Sequence, residues 1–306
     1  MSSTKQLKTR IRSCGNIRKI TKAMELVSVS KMKRAVDALL RTRPYAAGAW
    51  EVLRDLAAVA PSHRHPLLGK ERELRRVLLL LTTSDRGLCA NFNSAVLSRV
   101  EKFLAGLPAG VSADIVTLGK RGREAAARKG WSLVASFDHL SVLPSVEDIR
   151  PIADLLTRGF TEERYDHVFL AYTDFVSAIR QEVALEQLLP LHKSARLGEA
   201  RRGSEAARAG QRALARERLR RIEFLFEPSG KHVFEYVLPR LIEVQVFQGI
   251  LESIASEHAA RMVAMKNATD AAADIVRDVT FTFNQIRQSA ITQEIAEIST
   301  GAMMMR

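Results

Sequence analysis

The two ends of this chain are long stretches almost free of proline, each marked by apolar or small residues at steps of three and four. Between Thr4 and Ala58 only Pro44 interrupts, and Leu7, Ile11, Cys14, Ile17, Ile20, Met24 and Val27 draw one helical stripe. Pro44 is expected to kink this helix or end its first section. After Pro239 no further proline occurs. Leu251, Ile254, His258, Met262, Met265, Thr269, Ala272, Val276, Val279, Phe283, Ile286 and Ala290 then recur at a mean step of about 3.5, the period of a left-handed supercoil. His258 and Thr269 interrupt the stripe, and Ala268, Ala271 and Ala272 leave room for a close helix neighbour. At ~1.5 Å rise per residue, roughly 50 residues make a rod of about 75–80 Å. Such a rod cannot hide in a globule of 306 residues. The two helices must pair with each other or enter a partner.

The middle reads differently. Apolar runs at Val77–Leu81, Asp114–Leu118, Trp131–Ala135, His167–Tyr172 and Ile222–Phe226 predict strands, with a further strand at Val183–Leu189. Helical stretches fall near Ser94–Leu104, Lys120–Lys129 and Val146–Thr161. The alternation predicts a mostly parallel sheet with flanking helices. The fold class is therefore mixed, α+β with α/β character: a long antiparallel coiled coil of the terminal helices plus a Rossmann-like α/β domain. The expected division is 1–60 for the first helix, 74–228 for the α/β domain and 231–306 for the last helix, with the loop Pro61–Glu73 as junction.

Charge narrows the partners without choosing one. The net charge is +13, and residues 1–43 hold 12 Lys or Arg against Glu25 and Asp37. A second basic stretch, 196–221, has nine Arg against three Glu and little apolar content, as expected of a solvated insertion. A basic surface favours nucleic acid, anionic headgroups or acidic proteins alike. No apolar stretch approaches the ~20 residues of a membrane helix, so membrane association must run through a partner. The two cysteines, Cys14 and Cys89, exclude a disulfide framework and fit a reducing compartment. His63 and His65 are close in sequence but lack a neighbouring acid or thiol, so no metal is expected there.

Three features could carry chemistry. The run Thr82 to Cys89 follows a predicted strand and precedes a helix, where doubly wound folds bind phosphate. It has one glycine and no following Gly-Lys-Ser/Thr, so a tight turn is expected instead, with Gly87 supplying the conformation and Asn91 or Asn93 capping the helix. Cys89 as a nucleophile would need a base such as His139 or His167, which no sequence feature places beside it. The basic first helix could grip nucleic acid, but it has no aromatic before Tyr45 for base stacking.

Specific strings at both ends point elsewhere. Ile17 to Val27 (IRKITKAMELV) with Ser30-Lys31-Met32 resembles the N-terminal signature of ATP synthase gamma subunits. Arg261 to Ala271 (RMVAMKNATDA), and Asn284 to Ile295 with Glu297-Ile298, resemble the C-terminal one. Ser84-Asp85-Arg86-Gly87-Leu88-Cys89 with Asn93, and Phe226-Glu227-Pro228, resemble intervening segments in the same order. Departures occur at Ala90 and Phe92, and in the longer, Arg-rich 196–221, which has no cysteine pair and so implies no thiol switch.

The resemblance implies a central-stalk rotor without a catalytic site, cofactor or metal of its own. It implies three alpha and three beta subunits around the coiled coil, an epsilon subunit and the membrane c-ring at the foot, and no nucleic acid. It places Met24 near the beta-subunit lever and Arg287 and Gln288 at the beta-subunit catch loop. Thr292, Glu294 and Glu297 match positions that couple rotation to catalysis, and Arg261 one facing the first helix. With no leader before the motif, the expected location is peripheral, on the cytoplasmic side of a bacterial inner membrane. The alternative from the residues alone is a basic coiled-coil nucleic-acid-binding protein, and a second is an α/β enzyme using Cys89.

Overall fold

Sheet order follows from which residues the strands bury. A computed structural model of the chain describes residues 4–59, 66–68, 72–191 and 230–304. In it β1 (Arg76–Thr82) is buried at every position after Arg76. Its alternating residues serve two cores: Leu78 and Leu80 face one side, Leu79 and Leu81 the other. Burial on both faces is what a central parallel strand requires. β2 (Ser112–Leu118) and β4 (His167–Phe175) flank β1 in parallel, and β3 (Ser132–Phe137) extends the sheet beyond β2. β5 (Gln181–Leu189) returns antiparallel to β4, which makes the order β3-β2-β1-β4-β5. The expected strand at Val183–Leu189 is thus present as an antiparallel edge. The expected strand Ile222–Phe226, the basic stretch 196–221 and His63 and His65 lie outside the described residues.

Helices α2 (Phe92–Ala105), α3 (Lys120–Lys129) and α4 (Val146–Thr161) occupy the three predicted helical stretches. α2 buries Phe92, Val96 and Val100, one residue per turn, with Val96 and Val100 packed on the β1 face that carries Leu79 and Leu81. α3 is short and buries only Gly122, Ala125 and Ala126, so it lies close on β2 and β3. α4 begins with a capping box in which Ser145 and Asp148 satisfy each other's backbone N–H groups at 3.2 and 2.8 Å. It buries Ile149, Ile152, Leu156 and Phe160 against the opposite face of the sheet.

The terminal helices are α1 (Thr4–Val59) and α5 (Gly230–Met304). α1 continues through Pro44 as one element and does not end there. The chain divides into two units: Ser30–Ala260, and Met1–Val29 with Arg261–Arg306. In the first, Leu238, Leu241, Ile242, Val246 and Ile250 of α5 join α4 in one core. From Leu241 to Ala260 α5 is buried nearly all round. That explains its small residues: Gly249 has no room for a Cβ, which would stand 2.7 Å from Leu170 Cδ2 of β4.

In the second unit the two helices pair antiparallel. Thr21 Oγ1 and Thr269 Oγ1 are 2.8 Å apart across the seam. Burial continues from there to Leu7 on α1 and to Val279, Phe283 and Ile286 on α5. Leu7 lies 14 residues before Thr21, and Phe283 lies 14 after Thr269, so only an antiparallel pairing buries both. On α5 the predicted stripe holds through Ile286, whereas Ala290 is exposed. On α1 the prediction fails in part. Ile17, Ile20 and Val27 are 49, 60 and 54% exposed, while Thr21 and Ser28 are buried. The seam follows spacings of seven through Leu7, Cys14, Thr21 and Ser28. Small hydroxyl residues fit there because a carbonyl of their own helix lies within reach: Ser28 Oγ donates to Met24 O at 2.7 Å, and Thr21 Oγ1 lies 3.1 Å from Arg18 O.

Candidate functional site

In a doubly wound sheet a ligand binds beyond the carboxyl ends of the strands, where the order reverses. Here that point lies between β1 and β4, and protein fills it. The pairing of β1 with β4 ends at Leu81 and Ala171, so the next residues of β4 have no strand on that side. α5 takes its place. Ser253 Oγ accepts from Thr173 N at 3.0 Å and shares a 2.8 Å bond with Thr82 Oγ1. Ser256 Oγ donates to Thr173 O at 3.1 Å. Thr82, Thr173, Ser253 and Ser256 are all buried.

The neighbouring anion position is occupied as well. The N-terminus of α3 would offer backbone N–H groups to a phosphate. Asp85 supplies the carboxylate instead: Oδ1 accepts from Lys120 N and Oδ2 from His139 N, both at 3.0 Å. Thr83 Oγ1 accepts from Gly122 N at 2.8 Å and lies 3.0 Å from Leu118 O. Gly119 turns here with φ of 97°, and a Cβ on it would meet Thr83 O at 2.2 Å. What space remains is a cavity of about 50 Å³ beside Thr83, Asp85 and Ser253, room for water rather than a nucleotide.

The turn after β1 differs from expectation in its detail. Gly87 is not the residue with positive φ; Leu88 (63°) and Ala90 (48°) are. Asn91 stands at the N-cap of α2 without a side-chain cap bond. Asn93 braces the turn rather than capping: its Oδ1 accepts from Ser84 N at 3.0 Å and its Nδ2 donates to Ser84 Oγ and Cys89 Sγ. Cys89 is buried against Phe92 and Ala260. Its polar neighbours are Ser84, Asn93 and the Arg86 carbonyl, none a base. His139 sits instead 3.7 Å from Asp85, and His167 Nε2 lies 3.1 Å from Arg72 O. Among the described residues no three His, Cys, Asp or Glu gather as metal ligands.

The singled-out residues fall in the helical unit. Met24 is half-buried on α1, and Arg261 is buried on α5. Arg287, Gln288, Thr292, Glu294 and Glu297 are all exposed, on the length of α5 past the last half-buried seam residue, Ile286. Thr292 Oγ1 donates to Gln288 O at 3.0 Å, and Gln293 Nε2 to Glu297 Oε1 at 2.9 Å. Ile291, Ile295 and Ile298 are exposed at 46, 62 and 73%. At about 100° per residue they share one face. Arg287, Glu294 and Glu297 flank that face on one side, Gln288 and Thr292 on the other. An apolar ridge between a charged and a neutral polar border is a surface shaped for protein contact.

Sequence reasoning missed the plug of the switch point. Its signal was the small-residue spacing Gly249, Ser253, Ser256, which marks close helix approach. It also missed Thr21 as a partner of Thr269, because a hydroxyl beside isoleucines draws no attention in an apolar stripe.

The family model described as ATP synthase matches residues 3–305. An ATP synthase gamma chain of Chloroflexus aurantiacus is 39% identical over 305 residues, covering 99% of this chain and 98% of the relative. One from Legionella pneumophila is 33% identical over 303 residues, with 99% of each chain covered. Among solved structures, the central stalk and c-ring assembly of Tetrahymena thermophila mitochondrial ATP synthase holds a chain 26% identical, with a TM-score of 0.60 over 81% of this chain and 99% of that one. A chain of the Euglena gracilis mitochondrial ATP synthase, 14% identical, shares the fold with a TM-score of 0.65 over 99 and 94%. Nothing in these similarities supports a nucleic-acid-binding role.

Proposed function

The chain belongs to the ATP synthase gamma family, and from that premise we propose that it is the non-catalytic central-stalk rotor of an F-type ATP synthase. It transmits torque between a membrane c-ring and a catalytic ring of three alpha and three beta subunits, with an epsilon subunit at its foot. The observation that carries this is the full-length match to gamma chains, which takes in both terminal helices and the α/β domain alike. Among the described residues, Ser253, Ser256 and Asp85 occupy the places where an α/β fold would hold a nucleotide, which supports the non-catalytic reading.

The working division is a first helix over 1–60, an α/β foot over 74–228 and a last helix over 231–306. In this reading Met24 makes a sliding contact with the beta subunit, which an unbranched, uncharged side chain suits. Arg287 and Gln288 grip an acidic beta-subunit loop through charge-assisted bonds that form and break with angle. Thr292, Glu294 and Glu297 couple the angle of α5 to catalysis, and Arg261 steadies the pairing with α1. The chain is peripheral, on the cytoplasmic side of a bacterial membrane, held there by its partners; no described helix is long and apolar enough to cross a membrane.

Co-expression with tagged alpha and beta subunits and native mass spectrometry of the purified complex tests this. One copy of the chain with three alpha and three beta is expected. A competent alpha–beta assembly that leaves the chain out would overturn it.

A further inference from the structure

A rotor helix must be fixed in angle to the body that turns it, and hydrophobic packing alone resists rotation poorly because it is non-directional. The switch point supplies direction. Ser253 and Ser256 are one turn apart on α5, and both bind the same residue of β4: Ser253 takes the Thr173 N–H and Ser256 the Thr173 carbonyl. One bond would be a pivot; two bonds spaced along the helix fix its angle. The third bond, Ser253 Oγ to Thr82 Oγ1, ties the same point to β1, since Thr82 Oγ1 also donates to Ala171 O at 2.9 Å. Ser256 and Thr82 are shut off from bulk solvent, at 0% and 1% exposed. Gly249, one turn earlier, brings the helix against Leu170 so that the serines reach the strand. α5 then runs on unbroken to Met304.

We infer that Ser253 and Ser256, with Thr82 and Thr173, form the key that locks the rotation of α5 to the sheet and carries load between them. They act as positioning residues. The inference rests on the rotor role, since only a shaft under torque needs such a key.

The test uses the assembled, vesicle-reconstituted enzyme, with ATP-driven proton pumping and phosphate release measured together. In the Ser253→Ala, Ser256→Ala double variant the pumping-to-hydrolysis ratio should fall at least twofold while hydrolysis persists. A Thr82→Cys, Ser253→Cys pair replaces the bond covalently, the two oxygens it substitutes being 2.8 Å apart. Its ratio should be low when reduced and return towards the parent value when oxidised. The key is overturned if either the alanine pair or the reduced cysteine pair assembles and couples as the parent does. It is equally overturned if pumping and hydrolysis fall in proportion, which is the mark of a merely structural role. If the alanine pair does not assemble, the cysteine pair alone decides. A parent complex that hydrolyses ATP without pumping would instead refute the rotor role, and so separates the two failures.

Discussion

Removing one hydroxyl from the helix seam should weaken the coil more than removing two. Arg18 O, Thr21 Oγ1, Thr269 Oγ1 and Met265 O form a row of four oxygens with gaps of 3.1, 2.8 and 2.8 Å. Two hydroxyl protons serve three gaps, and both favourable arrangements place one proton between the threonines. In Thr21→Val, Thr269 keeps its bond to Met265 but loses the interhelical one and faces a methyl group. The net cost of one such bond is about 1 kcal/mol, rising towards 2 when the remaining oxygen is buried without a donor. Thr269→Val should cost the same. In the double variant two methyl groups meet in an apolar seam, and replacing both partners is close to neutral. The coupling energy, the double's cost less the sum of the singles, is then about 2–4 kcal/mol in magnitude. Urea unfolding of the purified chain, followed by circular dichroism, measures all four members of the cycle. A Thr21→Val variant as stable as the parent, or a double variant that costs the sum of the singles, would refute the proton arrangement.

Met24→Lys should at least halve the pumping-to-hydrolysis ratio at unchanged assembly yield, because an added cation grips where methionine slides; equal coupling would remove Met24 from the contact. Gly119→Ala should destabilise by at least ~2 kcal/mol through a left-handed backbone and a close approach to Thr83 O, read as a lower urea midpoint. Tyr165 donates to Asp114 Oδ2 at 2.8 Å, and burial together with that carboxylate pushes its hydroxyl up to about 12. A raised value in the folded state means that the contribution to stability is complete below pH ~10 and is lost as pH rises towards about 12. Tyr165→Phe should flatten the fall in stability across that interval, and an unchanged slope would show that other groups cause it.

Most of the fold was legible because it depends on periodicity. The five-residue run at Val77–Leu81 reads as a strand buried on both faces, and the step of 3.5 along α5 reads as a helix with one continuous buried stripe, packed on the sheet core at Ile254 and on α1 from Met265 onward. The first helix was harder. Ile17, Ile20 and Val27 fit a helical stripe as well as Thr21 and Ser28 do, and only the partner decides which stripe turns inward. Hydrophobicity alone chose the isoleucines; the seam chose small residues whose hydroxyls find partners in their own helix or across the seam. The turn after β1 was misjudged for a similar reason. Gly87 is the residue best able to adopt positive φ, yet the bracing bonds of Asn93 hold Leu88 and Ala90 there. The proposed coupling roles rest on the resemblance alone, because an exposed Arg287 or Glu294 on a solvent-facing helix has no physical signature until a partner covers it.

Rotation itself is the most direct test. Ile179, 88% exposed in the turn between β4 and β5, can be changed to cysteine and labelled in a Cys14→Ser background, Cys89 being buried. With the alpha–beta ring fixed to a surface and ATP supplied, the label should turn in one direction, in steps set by three catalytic sites. A label that stays still while the complex hydrolyses ATP at its full rate would contradict the account.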